Sequence, residues 1–289
     1  MAYRNVIITQ RCKLEYSLNY LICRKGMEEK RILLDEIKTI VIQSTQVVIT
    51  TSLITMLSKK KIKVIFCDEK YNPECELVSY QNNFYSYRKI KEQINFVGKA
   101  QKCWQEIVKM KIINQAKNLL LMKRENEYTM LMNYASEVEE DDRTNREGHS
   151  AKVYFNALFG TDFNRSQNNN VNMFLNYGYS IVLSTINREI KMLGYLTELG
   201  IHHIGESNPY NLTCDLMEPI RPLVDYFVIT NKVNVDSFKT EFVKMLNYEV
   251  MYNSQKMFLD NAIHLYIVDI LNAIKNQKHQ DIKFIEYEL

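Results

Sequence analysis

"SYQNNFYSY", residues 79–87, separates two sequence rhythms, and the fold class turns on the difference between them. Upstream, "KLEYSLNYLIC" (13–23) alternates every second residue, setting Leu14, Tyr16, Leu18, Tyr20 and Ile22 on one face, as a half-buried antiparallel strand requires. "IKTIVIQ" and "IKVIFCDEK" read as further strands rich in Ile and Val. Between them "TTSLITMLSKKK" spaces Leu53, Met56 and Leu57 as a short helix does, and the Asn-Pro of "EKYNPE" supplies a turn. Downstream the apolar residues change period: Ile90, Ile94, Val97, Trp104, Ile107 and Val108 recur by threes, fours and sevens. The stretch 233–275, "VNVDSF…LNAIK", continues in helical style. The expectation is an α+β protein, with a small N-terminal β-rich domain (1–80) followed by a larger, mostly α-helical domain (81–289).

Composition agrees with a folded globular chain: 46% hydrophobic and 25% charged residues exclude disordered and fibrous classes. The start of the chain lacks the apolar core and small-residue cleavage site of a secretory signal. The uncharged run 39–58 is interrupted by Thr, Ser and Gln, and 166–187 by Asn, so neither suits a bilayer. Six scattered cysteines include no CxxC pair, which reads as reduced thiols in a cytoplasmic protein.

The net charge of +3 conceals opposed patches. Residues 88–124 hold ten basic side chains against Glu92 and Glu106, whereas "ASEVEEDDRTNRE" (135–147) is strongly acidic. A basic helix is either a solvated face or a phosphate-binding one, and the charge alone does not choose. Tyr85, Tyr87 and Trp104 lie in or beside this segment, where they could stack on bases or build core. The Asn-rich "NRSQNNNVN" reads as a loop, and no internal repeat is visible.

"LGIHHIGESNPYNLTCDLMEPIRPLVD" (199–225) sets two histidines ahead of two carboxylates, Asp215 and Glu218, in an otherwise apolar phrase. On a helix Asp215 and Glu218 stand at i and i+3, with Cβ atoms ~5–6 Å apart, so a cation between them would relieve their repulsion. Pro219 and Pro222 predict a helix start or a kink. Ion pairing competes with a metal reading: Asp215 could cap a helix or pair with Arg221, and Glu218 could pair with Arg221 or Arg188. Gly200 reads as the residue that ends the helix "SIVLSTINREIKMLGYLTEL", which places His202 and His203 on the loop leaving it. Imidazole with carboxylates suits magnesium or manganese better than zinc. A third segment, 145–160, reads as an amphipathic helix with Ala151, Val153, Tyr154 and Leu158 inward. Its Glu147 is either a ligand or a carboxylate stabilising the helix N-terminus.

"NREGHSAKVYF", then "NYGYSIVLSTINREIKMLGYLTELGIHH", then "NLTCDLMEPIRPLVD", in that order, resemble the CRISPR-associated integrase, the larger subunit of the spacer-acquisition machinery. "STQVVITTSLI", "KVIFCDEKYNPECELV" and the closing "FIEYEL" resemble its type II-A form. The resemblance implies a metal-dependent DNA endonuclease and integrase with Glu147, His203 and Glu218 as catalytic metal ligands for Mg2+ or Mn2+. It implies Asp215 close by rather than coordinating, and the doubled histidine leaves His202 as an alternative. Other subtypes carry Asp at the position of Glu218 and space the histidine differently from the "DL" phrase. The implied reaction is attack by a DNA 3′-hydroxyl on a repeat phosphodiester, with water as nucleophile in the hydrolytic mode.

With the resemblance added, Lys59, Lys60, Arg88, Lys89, Lys99, Lys102 and Lys109 become expected DNA contacts, with Lys61 and Lys63 beside the first pair. Implied partners are a spacer-precursor duplex and the CRISPR repeat, a second copy of the chain in a homodimer paired through the β-rich domain, and a small adaptation subunit. A ring-forming DNA-binding protein and the effector nuclease of type II-A systems complete the set. Two alternatives stay open: a repair nuclease on branched DNA, and an architectural DNA-binding protein whose carboxylates are structural ion pairs.

Overall fold

A computed structural model describes residues 4–69, 73–79, 86–96, 99–230 and 234–287. The turn expected at residues 70–72, Tyr85 and Val97 lie outside the described residues. The chain forms two compact units, Met1–Asn82 with Lys239–Lys244, and Asn83–Phe238 with Met245–Leu289. β-Structure dominates the first and helix the second, an α+β architecture.

In the first unit, β2 (Lys13–Ser17) and β3 (Tyr20–Lys25) form a hairpin, which β4 (Glu28–Leu33) extends antiparallel and β6 (Val48–Ile49) extends parallel. The continuous strand expected across 13–23 is therefore broken. Leu18 and Asn19 both take positive φ, the two-residue turn that matches the twist of a hairpin, and this turns Leu18 out to solvent at 85% exposure. The second sheet runs β1-β5-β7-β8: β5 (Ile37–Ile42) lies parallel between β1 (Arg4–Ile8) and β7 (Lys63–Cys67). Only β8 (Pro73–Glu76) is antiparallel. The antiparallel pairing expected for 13–23 holds for β2 and β3, whereas "IKTIVIQ" and "IKVIFCDEK", expected only as strands, pair in parallel. The apolar run Ile40–Ile42 in β5 marks an inner strand of a parallel sheet, buried on both faces. Helix α1 (Thr51–Lys59), capped by the Thr50 hydroxyl accepting from Leu53 N at 3.3 Å, buries Leu53 and Leu57 in the core with Leu14, Leu21, Leu34, Ile37, Ile40 and Val64. Each such side chain contributes about 1.5–3 kcal/mol by leaving water.

The second unit is built around α3 (Gln101–Leu121), which packs against α4 (Glu125–Ser136), α5 (Arg146–Phe159) and α8 (Arg221–Ile229). Trp104, Ile107, Val108, Ile112, Ala116 and Leu119 are buried around most of its circumference, so α3 is a core helix and not the one-sided basic helix its charge suggested. α2 (Ser86–Phe96) precedes it and leaves Tyr87 and Ile94 exposed. α6 (Asn170–Met192) packs on α7 (Asn211–Met217), α8 and α10 (Leu259–Asn276). The Asn-rich segment is a turn whose Asn169 caps α6, accepting from Asn172 N at 2.8 Å. Within the stretch expected to be helical beyond α9 (Phe238–Met245), β9 (Glu249–Tyr252) and β10 (Gln255–Phe258) form a second hairpin across Asn253 and Ser254, both at positive φ.

Candidate active site

α6 stops earlier than Gly200. Gly194, at φ +88, takes the left-handed position, and the Gly194 and Tyr195 amides close the helix onto Lys191 O and Ile190 O, as a Schellman cap does. Gly200 serves a different purpose. A Cβ there would lie 2.2 Å from the His203 carbonyl and 2.7 Å from Asp215 Oδ2, so only glycine lets this backbone fold over α7.

That close approach wraps the histidine loop around one carboxylate. Asp215, fully buried on α7, accepts from Ile201 N at 2.6 Å and His202 N at 3.2 Å through Oδ2, and from His203 N at 3.0 Å through Oδ1. Its Oδ1 also lies 2.6 Å from His203 Nδ1. An ionised carboxylate only accepts, so Nδ1 carries the hydrogen and Nε2 is left to face outward. This hydrogen bond raises the His203 pKa; burial opposes it, and the charges of Asp215, Glu218 and Glu147 reinforce it. His203 lines an open cleft of about 370 Å3 with Gly200, Ile204, Gly205 and Asn208.

Glu218 follows one turn on, where α7 passes through a 3-10 turn (Glu218–Ile220) into α8. Pro219 and Pro222 interrupt the helical ladder, and outside donors complete it: Asn114 and Asn118 of α3 donate to the Pro219 and Pro222 carbonyls at 2.9 and 2.8 Å, and Tyr266 OH donates to Leu216 O at 3.0 Å. The kink turns the Glu218 carboxylate toward α3. Arg221 Nε donates to its Oε1 at 2.7 Å, while Oε2 forms an ion pair with Lys111 Nζ. Arg188, the other candidate partner, pairs instead with Glu189. Burial would raise the Glu218 pKa, yet the charges of Arg221 and Lys111 hold it down at about 2, so the carboxylate stays ionised.

Glu147 arrives from the first turn of α5. Asn145 caps this helix by accepting from Gly148 N at 3.2 Å, and Asp142 accepts from Arg146 N and Glu147 N at 2.8 and 3.0 Å. Of the inward residues expected, Tyr154 is fully buried while Ala151, Val153 and Leu158 are half-buried. The Glu147 carboxylate accepts a hydrogen bond from the same Lys111 ammonium. Glu147 is 30% exposed and Glu218 5%, so Glu147 forms the open side of the pair.

Two of the three expected ligands thus meet on one cation, a lysine ammonium, and His203 is coupled electrostatically to both. Among the described residues no group of three or more His, Cys, Asp or Glu side chains is arranged to hold a metal ion. The chemistry of the donor set nevertheless fits a hard divalent ion: two carboxylates that already share a cation, and an imidazole whose Nδ1 is engaged by Asp215 and whose Nε2 is left over. His202 is turned elsewhere. It stacks on the fully buried Trp104, with ring centroids 4.3 Å apart and planes within 8°, and its Nδ1 lies 3.3 Å from Asp141. Trp104 is accordingly a support for the histidine loop and not a platform for bases.

The expected DNA contacts divide. Lys59, Arg88, Lys99 and Lys102 are exposed. Lys60 pairs with Asp35, Lys109 with Glu106 at 2.9 Å and Lys89 with Glu92 at 3.6 Å, the last also donating to Tyr195 OH. Lys63, with 2% exposure, is buried in its sheet and is corrected to a structural residue; Lys61 is exposed. Lys111 was missed as a site residue because it was counted with the basic surface. Lys111, Asn114, Gln115 and Asn118 form a polar i, i+3, i+4, i+7 stripe inside an otherwise apolar helix, and that was the available signal.

A family model described as "CRISPR associated protein Cas1" matches residues 6–260. A "CRISPR-associated endonuclease Cas1" from Neisseria meningitidis serogroup C is 31% identical over 300 residues, covering 99% of this chain and 97% of the relative. A chain of a "Cas6-RT-Cas1--Cas2 complex" superposes with a TM-score of 0.75 at 17% identity, over 96% of this chain and 36% of that longer one. A "Casposase bound to integration product" gives 0.71 at 17% identity, over 96% and 92%. No helix among the described residues is long and apolar enough to cross a membrane.

Proposed function

Because this chain belongs to the CRISPR-associated Cas1 family, we propose that it is a DNA endonuclease and integrase of CRISPR adaptation, joining a spacer 3′-hydroxyl to a repeat phosphodiester. The observation that supports this reading best is the convergence of Glu147 and Glu218, from separate elements, on a single cation beside an imidazole oriented by a buried aspartate. Glu147, His203 Nε2 and Glu218 would hold the ion, Mg2+ or Mn2+, which when bound supplies charge neutralisation at phosphate and orientation of the nucleophile. Arg221 fixes one oxygen of Glu218 and keeps it ionised. Asp215 fixes the tautomer and direction of His203 and stays out of the ion's reach because both its oxygens are committed to the loop.

Affinity for DNA would come from exposed cations away from the carboxylates, among them Arg88, Lys99 and Lys102, with Lys59 in the first unit. The solved complex that contains Cas2 supports the small adaptation subunit as a partner. A homodimer and the type II-A accessory proteins are parts of the same proposal. The test is strand transfer into a repeat-bearing plasmid, with and without divalent ion and the small subunit. Joined strands at the repeat border are the expected product; nicking of branched DNA alone would favour a repair nuclease. The Lys111 ion pairs favour one competing reading, an architectural protein with a structural charge cluster. That reading predicts neither metal binding nor joined product.

A further inference from the structure

We propose that Lys111 is a resident counter-ion of the catalytic carboxylates, a positioning residue whose ammonium holds Glu147 and Glu218 together before metal arrives and must move aside when it binds. This rests on the metal reading above. The Lys111 side chain is 8% exposed, and a lysine that deep in a helix core persists only when its charge is matched. Here it is matched twice.

Charge matching then limits what else the cluster can accept. Glu147 and Glu218 are balanced by Lys111 and Arg221, so the group is already neutral. A divalent ion placed beside an ammonium on the same two carboxylates would be repelled by it. Arg221 is tied to Glu218 Oε1 and stacked 4.9 Å over the Tyr179 ring, whereas Lys111 has a flexible four-carbon stem. Lysine is therefore the group that moves. A destination exists on its own helix face: Asn114 and Gln115, at i+3 and i+4, are buried, and their Oδ1 and Oε1 lack hydrogen-bond partners. Both amides can accept from an ammonium one turn along. The pair Glu147–Glu218 would thus stay assembled in either state, with metal and lysine exclusive at one position.

The experiment is Mn2+ binding by calorimetry and electron paramagnetic resonance to the full chain, comparing wild type, Lys111→Met and Lys111→Arg. Loss of the ammonium is expected to tighten Mn2+ binding by about tenfold or more, to lower the melting temperature without metal, and to enlarge the metal-induced rise in melting temperature. The Arg variant, which keeps the charge, should stay close to wild type. In wild type labelled with 15N at lysine Nζ, Mg2+ should shift the Lys111 resonance, a readout that needs no variant. Equal Mn2+ affinity in wild type and Lys111→Met, or an unmoved Nζ resonance at saturating Mg2+, overturns the inference while leaving the metal site standing. If the wild type binds no Mn2+ at all, the metal reading fails and this inference with it.

Discussion

Asp215→Asn tests the construction of the histidine loop with the smallest change in shape. Each Asp215 oxygen accepts two hydrogen bonds, Oδ2 from Ile201 N and His202 N and Oδ1 from His203 N and Nδ1. An amide nitrogen in the Oδ2 place meets two backbone donors and loses both bonds, and in the Oδ1 place it loses the bond to His203 N and keeps Nδ1 only by forcing the other imidazole tautomer. Hydrogen bonds to a buried charge are worth about 1.5–3 kcal/mol each. After partial relaxation the loss should be about 3 kcal/mol, or roughly 6–12 °C in melting temperature for a unit of this size. Urea denaturation reads the total, and amide hydrogen exchange at residues 201–203 reads the loop itself. Unchanged exchange there, with a denaturation free energy within about 0.5 kcal/mol of wild type, would show that the loop does not depend on this carboxylate.

Gly200→Ala should cost about 1–3 kcal/mol by overpacking, because its methyl would lie 2.2 Å from the His203 carbonyl; thermal denaturation checks it. Glu147→Gln should lower strand transfer at least ~100-fold with DNA affinity nearly unchanged, whereas Glu218→Gln should also destabilise the fold, since it leaves Lys111 and Arg221 buried beside a neutral group. Parallel binding and denaturation assays separate the two effects. Burial raises the Asp225 pKa from 3.8 to about 6, against hydrogen bonding by Tyr179 and Tyr154. The folded state therefore holds this proton more tightly than the unfolded chain. The associated stability is present below about pH 4 and lost as pH rises through about 6, by up to ~3 kcal/mol. Asp225→Asn should flatten that dependence in denaturation at pH 5 and 7.5. Glu189 has the opposite sign: burial would raise its pKa, but His264 and Arg188 hold it at about 2, so its stabilisation is present above about 4.5 and lost as pH falls toward 2. Glu189→Gln should weaken the acid limb of the stability curve.

Much of this was legible in the sequence because periodicity reports burial. The change of rhythm after residue 79 marked the passage from sheet to helix, and the proline pair at 219 and 222 marked the kink that turns Glu218 toward α3. Local chemistry misled where a turn hides inside a regular pattern. Leu18–Asn19 carries no glycine, and Asn253–Ser254 sits inside a helical-looking run, yet both pairs adopt positive φ. Parallel pairing of β5 was invisible because register depends on which strands meet. Gly200 showed as a helix stop, while its need for close backbone approach depends on Asp215, fifteen residues away in sequence. Lys111 was hardest to place. Its charge matched the exposed cations around it, and only its i+3, i+4 and i+7 companions distinguish a buried lysine from a solvated one.

The proposed reaction depends on Glu147, His203 and Glu218 gathering one divalent ion. Diffraction from crystals soaked in Mn2+, at a wavelength where manganese scatters anomalously, addresses it directly. One anomalous peak is expected within coordination distance of both carboxylates and His203 Nε2, with the Lys111 ammonium displaced. A saturated crystal with no peak there, and Lys111 still bridging the two carboxylates, would rule out this metal site.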